Sequence, residues 1–138
     1  MKNVKDYVPW TWKRPIQRLK WLHKAKKQRI ERGYCDGDLW NMDQWFLEVI
    51  PPMLRQLAED DLGFPEPEFG TKEEWKDWLT TLADHFEACS EVAIEDQNPY
   101  KHEDDRYWPR HDALEVMAQA RLEDAFKEMG KHFHSLWS

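Results

Sequence analysis

Asp36, Asp38 and Asp43 place three carboxylates within eight residues, the most suggestive cluster in the chain. Oxygen donors of this kind suit hard cations such as Mg²⁺ or Ca²⁺, and a bound cation could activate water for a metal-dependent hydrolase. The spacing is not that of an EF-hand, because the twelve-residue pattern and its closing Glu are missing. A structural use competes with the chemical one. Asp38 can cap a helix opening near Leu39, while Asp36 or Asp43 pairs with Arg29 or Arg32. The structural use is the expectation.

Other chemistry-bearing residues give less. His85 stands with Asp84 and Glu87, and His111 with Asp112 and Glu115. His111 and Glu115 are four apart and share a helix face, so pairs on two packed helices could form a carboxylate–histidine centre. No ExxH or HExxH spacing supports it, and surface roles are expected. His132 and His134 lie two apart, where helical side chains diverge. No G-x-S-x-G occurs, and neither Cys35 nor Cys89 has an adjacent His. The glycines are 33, 37, 63, 70 and 130, which form no phosphate-cradling loop, so no nucleotide or other cofactor is expected. Two distant cysteines outside any C-x-x-C pattern read as reduced thiols.

Charge is more informative. The net value of −7 over 138 residues conceals a division along the chain. Residues 1–32 carry eleven Lys and Arg against Asp6 and Glu31, a balance of +9, and residues 33–138 carry −16. A basic segment of this density, with Lys24, Lys26 and Lys27 at its centre, can bind phosphate backbones or anionic lipid. It can equally dock on its own acidic body or on that of a neighbouring copy, and this self-neutralisation is the leading expectation. Of the nine Trp, Trp45, Trp75, Trp78 and Trp137 sit on expected core faces. Trp10, Trp12 and Trp21 lie among the basic residues, where they could stack bases or anchor a partner.

The elements that must position these residues are helical. Pro15 suits a first helical turn, and Ile16, Leu19, Leu22 or His23, Lys26 and Ile30 follow at helical spacing to about Arg32, with Gly33 as the stop. A second helix is expected from Leu39 to Ala58, with Met42, Trp45 or Phe46, Val49, Met53 and Leu57 on one face. Pro51 and Pro52 predict a kink or break near 49–52. Residues 59–70 read as a loop. Thr71 and Glu74 form a capping box opening a third helix to about Asp96. A polar stretch over 97–107 precedes a last helix, opened by Pro109 and buried along Leu114, Met117, Leu122, Ala125, Phe126, Met129, Phe133, Leu136 and Trp137. No strand alternation competes. The expectation is an all-α, single-domain bundle of about four helices over 1–138, with a basic N-terminal helix and a Pro-kinked second helix. The N-terminal residues lack the apolar core of a secretory signal, and no run of about 18 apolar residues exists. A cytoplasmic protein is therefore expected.

The stretch Arg32-Gly-Tyr-Cys-Asp-Gly-Asp-Leu-Trp-Asn-Met-Asp43 resembles the signature of a family of small phage and prophage proteins of unassigned function. That signature reads Arg-Gly-aromatic-Ser-Asp-x-Asp-x-Trp-x-Leu/Met-Asp after a short basic segment. The family's proline-containing helix, Leu-Ala pair and Gly-x-Pro turn resemble Val49-Ile-Pro-Pro-Met, Leu57-Ala58 and Gly63-Phe-Pro65. Its later helix resembles Glu74 to Phe86, and its C-terminal Phe-x-x-Leu-Trp resembles Phe133 to Trp137. Cys35 replaces the usual Ser, which argues against an essential hydroxyl there. The resemblance implies a phage accessory protein and no particular reaction.

Together these readings predict a protein that works by binding, as an inhibitor or adaptor of a host protein, with residues 33–138 as a nucleic-acid-mimicking surface. The alternatives are nucleic-acid binding through residues 13–32 and hydrolysis at Asp36, Asp38 and Asp43. The candidate binding residues are Lys24, Lys26, Lys27, Arg32, Asp36, Asp38, Trp40 and Asp43. A host or phage protein is the expected partner, and homodimerisation by exchange of the basic arm is a further possibility.

Overall fold

Proline has no N–H to leave unpaired, and the first helix, α1, begins on one: Pro15–Arg32. It ends where the sequence predicts. Gly33 adopts φ +83°, and its N–H donates to the Arg29 carbonyl at 2.9 Å, so the last turn closes through a left-handed residue. The computed structural model describes residues 15–60 and 63–137. These are all-helical, with no strand among them and four long helices. None is long and apolar enough to cross a membrane. The chain divides into two compact units, Met1–Trp45 and Phe46–Ser138.

In the first unit a short helix, α2 (Asp36–Trp40), follows α1. Its start corrects one sequence expectation. Cys35, not Asp38, is the N-cap, and Asp38 sits three residues inside with its carboxylate reaching back to accept the Cys35 N–H at 2.8 Å. A new helix, α3 (Met42–Glu59), begins after Asn41 and carries the chain into the second unit.

Of the kink or break expected at Pro51 and Pro52, the break does not occur: α3 runs through both as one helical segment. Each ring removes a donor, depriving the Leu47 and Glu48 carbonyls of their usual partners. Helical φ is nonetheless the angle proline prefers, and Pro51 is among the most completely buried side chains, so its apolar contacts offset the loss. The buried row is also displaced from the expected one. Leu54 and Ala58 face the core beside Pro51, while Met42 and Met53 are exposed.

The second unit is built around α4 (Lys72–Glu87) and α6 (Tyr107–Lys131), with α5 (Glu91–Asp96) also against α6. Thr71 caps α4 by accepting the Glu74 N–H at 3.2 Å, but Glu74 returns its carboxylate to Gly70 N–H at 2.9 Å rather than to Thr71. The expected continuous helix to Asp96 is two helices. Its chain turns at 88–90, where Ser90 caps α5 through Ala93 N–H. Phe86 lies at the centre of the core with edge-on contacts to Phe46 (5.3 Å) and Phe126 (5.1 Å). Leu79, Leu82, Ala83 and Trp75 line the same face of α4. Helix α6 starts at Tyr107, two residues before Pro109, and stops at Lys131. A 3-10 turn, Phe133–Ser135, follows. This early stop leaves Phe133 and Trp137 exposed rather than buried, and Met117 and Phe126 are exposed as well.

Candidate functional site

Lys24, Arg32, Asp36 and Asp38, four of the residues singled out in the sequence, converge where α1 meets α2. Lys24, Gln28 and Arg32 are spaced by four and form one ridge of α1, and all three reach Asp36. Arg32 Nη2 donates to Asp36 Oδ1 at 2.7 Å. Gln28 Nε2 donates to Oδ2 at 3.0 Å, while the Gln28 carbonyl oxygen accepts the Asp36 backbone N–H at 3.0 Å. Lys24 Nζ stands 3.6 Å from Oδ2. One residue further round the helix, Arg29 holds Asp38 with Nη2 to Oδ1 at 2.7 Å and Nε to Oδ2 at 3.2 Å. The guanidinium keeps the Asp38 carboxyl at about 2, well below the ordinary carboxylate value. The Cys35 N–H reinforces this, because every donor favours the charged form.

This geometry does not assemble the three-carboxylate metal set. Asp36 and Asp38 spend their oxygens on guanidinium, amide and backbone donors, and Asp43 lies exposed in the first turn of α3. Among the described residues, no group of three His, Cys, Asp or Glu side chains is placed to hold a metal ion. The same finding covers the His85 and His111 sets; His111 Nε2 stands 3.4 Å from its helical neighbour Glu115, and its ring packs against Tyr107 and Trp108. Cys35 is buried as a free thiol. Cys89 donates its S–H to the His85 and Ala118 carbonyls, and burial pushes its pKa up, so it is a poor nucleophile.

What the clasp presents is apolar. Leu39, Trp40 and Met42 are 58 %, 54 % and 65 % exposed, immediately beyond the two pinned aspartates. Arg32 also donates to the Tyr34 carbonyl at 3.0 Å and covers the Tyr34 ring at 4.6 Å. The short segment 33–42 is thus anchored at its polar positions and displays its rings and aliphatic groups.

No family model, curated protein or solved structure matches this chain.

The remaining lysines of the basic helix behave differently from its arginines. Lys26 and Lys27 are exposed, with Lys27 3.7 Å from Glu31. Arg29 and Arg32 are committed to Asp38 and Asp36. Lys13, Trp10 and Trp12 lie outside the described residues, and Trp21 is half-buried over Cys35 and Ala25. Gln28 was not anticipated. Its signal was positional, the middle step of the Lys24–Arg32 ridge.

In the second unit, Glu68 Oε2 meets both His132 Nδ1 at 2.5 Å and Ser135 Oγ at 3.1 Å. The residue types invite a catalytic triad, but the carboxylate sits between the other two. Ser135 donates to the carboxylate and not to the His132 ring, so the set lacks the serine–imidazole bond of a triad and ties the 63–70 loop to residues 132–135 instead. Both partners hold Glu68 below its ordinary pKa, His132 most.

Proposed function

We propose that this protein acts by binding another protein, with Leu39, Trp40 and Met42 as the anchor. The observation that carries the reading is the pairing of rigid support with apolar display: two Arg–Asp and Gln–Asp clasps hold a segment whose large apolar side chains face solvent. A tryptophan on a pre-ordered backbone loses little entropy on binding, and Trp is enriched among residues that dominate interface energies. The likeness of residues 32–43 to the phage and prophage signature adds the setting, an accessory protein directed at a host component.

Within this proposal the acidic body acts as a nucleic-acid mimic, entering a basic channel on that target. Residues 46–138 carry 22 acidic and nine basic side chains, which supports the reading. Asp104 is a weak contributor because Arg106 already neutralises it through bonds of 2.8 and 3.0 Å. Glu59 and Asp60 are better candidates; Asp61 lies outside the described residues.

A second reading, nucleic-acid binding through α1, draws on seven Lys and Arg against one Glu in 18 residues. One experiment separates the two. The full chain, immobilised, is used for capture from a bacterial lysate with and without nuclease. A bound protein that survives nuclease and is lost with Trp40→Ala supports the first reading. Capture abolished by nuclease, and a gel shift lost with salt and with Lys26→Glu and Lys27→Glu, supports the second.

A further inference from the structure

Among the described residues, two apolar surfaces are exposed. One is a groove of about 450 Å³ in the second unit, lined by Ile50, Met53 and Leu57 of α3 and by Met129, Phe133 and Trp137 at the chain end. Met53, Phe133 and Trp137 are each more than half exposed, an unusual concentration for a surface meant to stay wet. Asp60 closes its rim, with Glu59 beside it.

The other surface is on α1. Ile16, Leu19, Leu22 and Ile30 are all exposed, and Ala25 alone is buried on that helix. At 100° per residue these four fall within one third of the helix circumference. The Lys24, Gln28, Arg29 and Arg32 side that grips α2 lies roughly opposite. The clasp therefore leaves these four side chains outward, with His23 and Lys26 among them on the same face and Lys20 and Lys27 beside it. The stripe runs about 21 Å along the axis, from the rise of 1.5 Å per residue.

We infer that the groove receives the apolar stripe of α1 from a second copy of this chain, giving a two-fold dimer in which each copy lends its basic helix to the other. Three observations select this occupant. The face sets four aliphatic side chains at helical spacing with Lys26 among them, an amphipathic anchor that an apolar groove with an acidic rim accepts. Its charge is opposite to that of the groove's unit: seven basic to one acidic on α1, 22 acidic to nine basic over residues 46–138. Reciprocal exchange would cover two stripes and two grooves at once, doubling the area that a single docking event covers. The inference is independent of the Trp40 anchor, which lies elsewhere on the chain.

The test is sedimentation or light scattering of the full protein from micromolar to submillimolar concentration. The expected result is a dimer of 16.8 kDa chains that weakens as salt rises. Leu19→Glu on the stripe and Met53→Glu in the groove should each yield monomer. Val116→Glu, equally exposed on α6, should remain dimeric. Because all three positions are at the surface, far-UV circular dichroism should be unchanged. A wild-type monomer across that range, including one whose helix docks within its own chain, overturns the inference. So does a dimer that survives both Leu19→Glu and Met53→Glu.

Discussion

Arg29 and Asp38 meet through two parallel hydrogen bonds of 2.7 and 3.2 Å, and the same Asp38 oxygen that receives the longer one accepts the Cys35 N–H at 2.8 Å. A single carboxylate therefore joins α1 to α2 and completes the start of α2. Such doubled use explains why the charge is held so firmly. The bidentate guanidinium and the backbone donor all favour the ionised form.

Stability should fall in acid through this group. The Asp38 pKa is lowered from 3.8 to about 2 on folding, so the unfolded chain binds more protons in that interval. The contribution is complete above about pH 4 and is lost as pH falls through about 2. Asp104 titrates in the same window, so the comparison is between native protein and Asp38→Asn. Urea melts at pH 6 should show the variant about 1 kcal/mol weaker, the scale of a lost helix-start bond and a half-exposed ion pair. At pH 2 the two curves should converge, and a constant gap would exclude the mechanism.

Gly33→Ala tests the end of α1. Nothing lies within 4 Å of an added Cβ, and φ is +83°. Its cost is therefore backbone strain alone, about 1 kcal/mol. Thermal unfolding should register that loss without any change in helical content at low temperature.

Phe86→Ala should be far more damaging. The ring is fully buried between Phe46 and Phe126, and removing it leaves a cavity costing about 3–5 kcal/mol. Chemical denaturation monitored by Trp fluorescence measures this directly. A loss below about 1 kcal/mol would mean that the core rearranges to fill the space.

Trp40→Ala separates function from stability. A side chain that is more than half exposed should alter unfolding free energy by about 1 kcal/mol or less, well below the loss expected for Phe86→Ala. Partner capture should nevertheless be abolished. Equal capture by native protein and variant would remove Trp40 from the binding surface.

The residues themselves were enough to specify much of this. Pro15 and Gly33 bracket α1 because one lacks a donor and the other tolerates a left-handed turn, both local properties of the backbone. Thr71 announces α4 for the same reason, and the all-helical class follows from apolar spacing. The acidic and basic halves are plain arithmetic, and Arg29 or Arg32 as partners for the aspartates needed only opposite charge and short separation.

Tertiary structure decided what local rules leave degenerate. Helix α3 carries two neighbouring apolar rows, and only the presence of α4 and α6 determines that Leu54 and Ala58 are buried while Met53 is exposed. Pro51 and Pro52 promised a break because local geometry counts the missing hydrogen bonds; burial of Pro51 offsets that loss. Asp36 could have served a cation until the Lys24–Gln28–Arg32 ridge filled its coordination with donors from a helix already formed. Phe133 and Trp137 continue the helical period of α6, yet the helix stops at Lys131, and the loop carrying Glu68 takes His132 and Ser135 instead. For α3 and the chain end the deciding contacts come from residues distant along the chain, and for Asp36 from the fold-back of α2 onto α1, none of which periodicity and propensity encode.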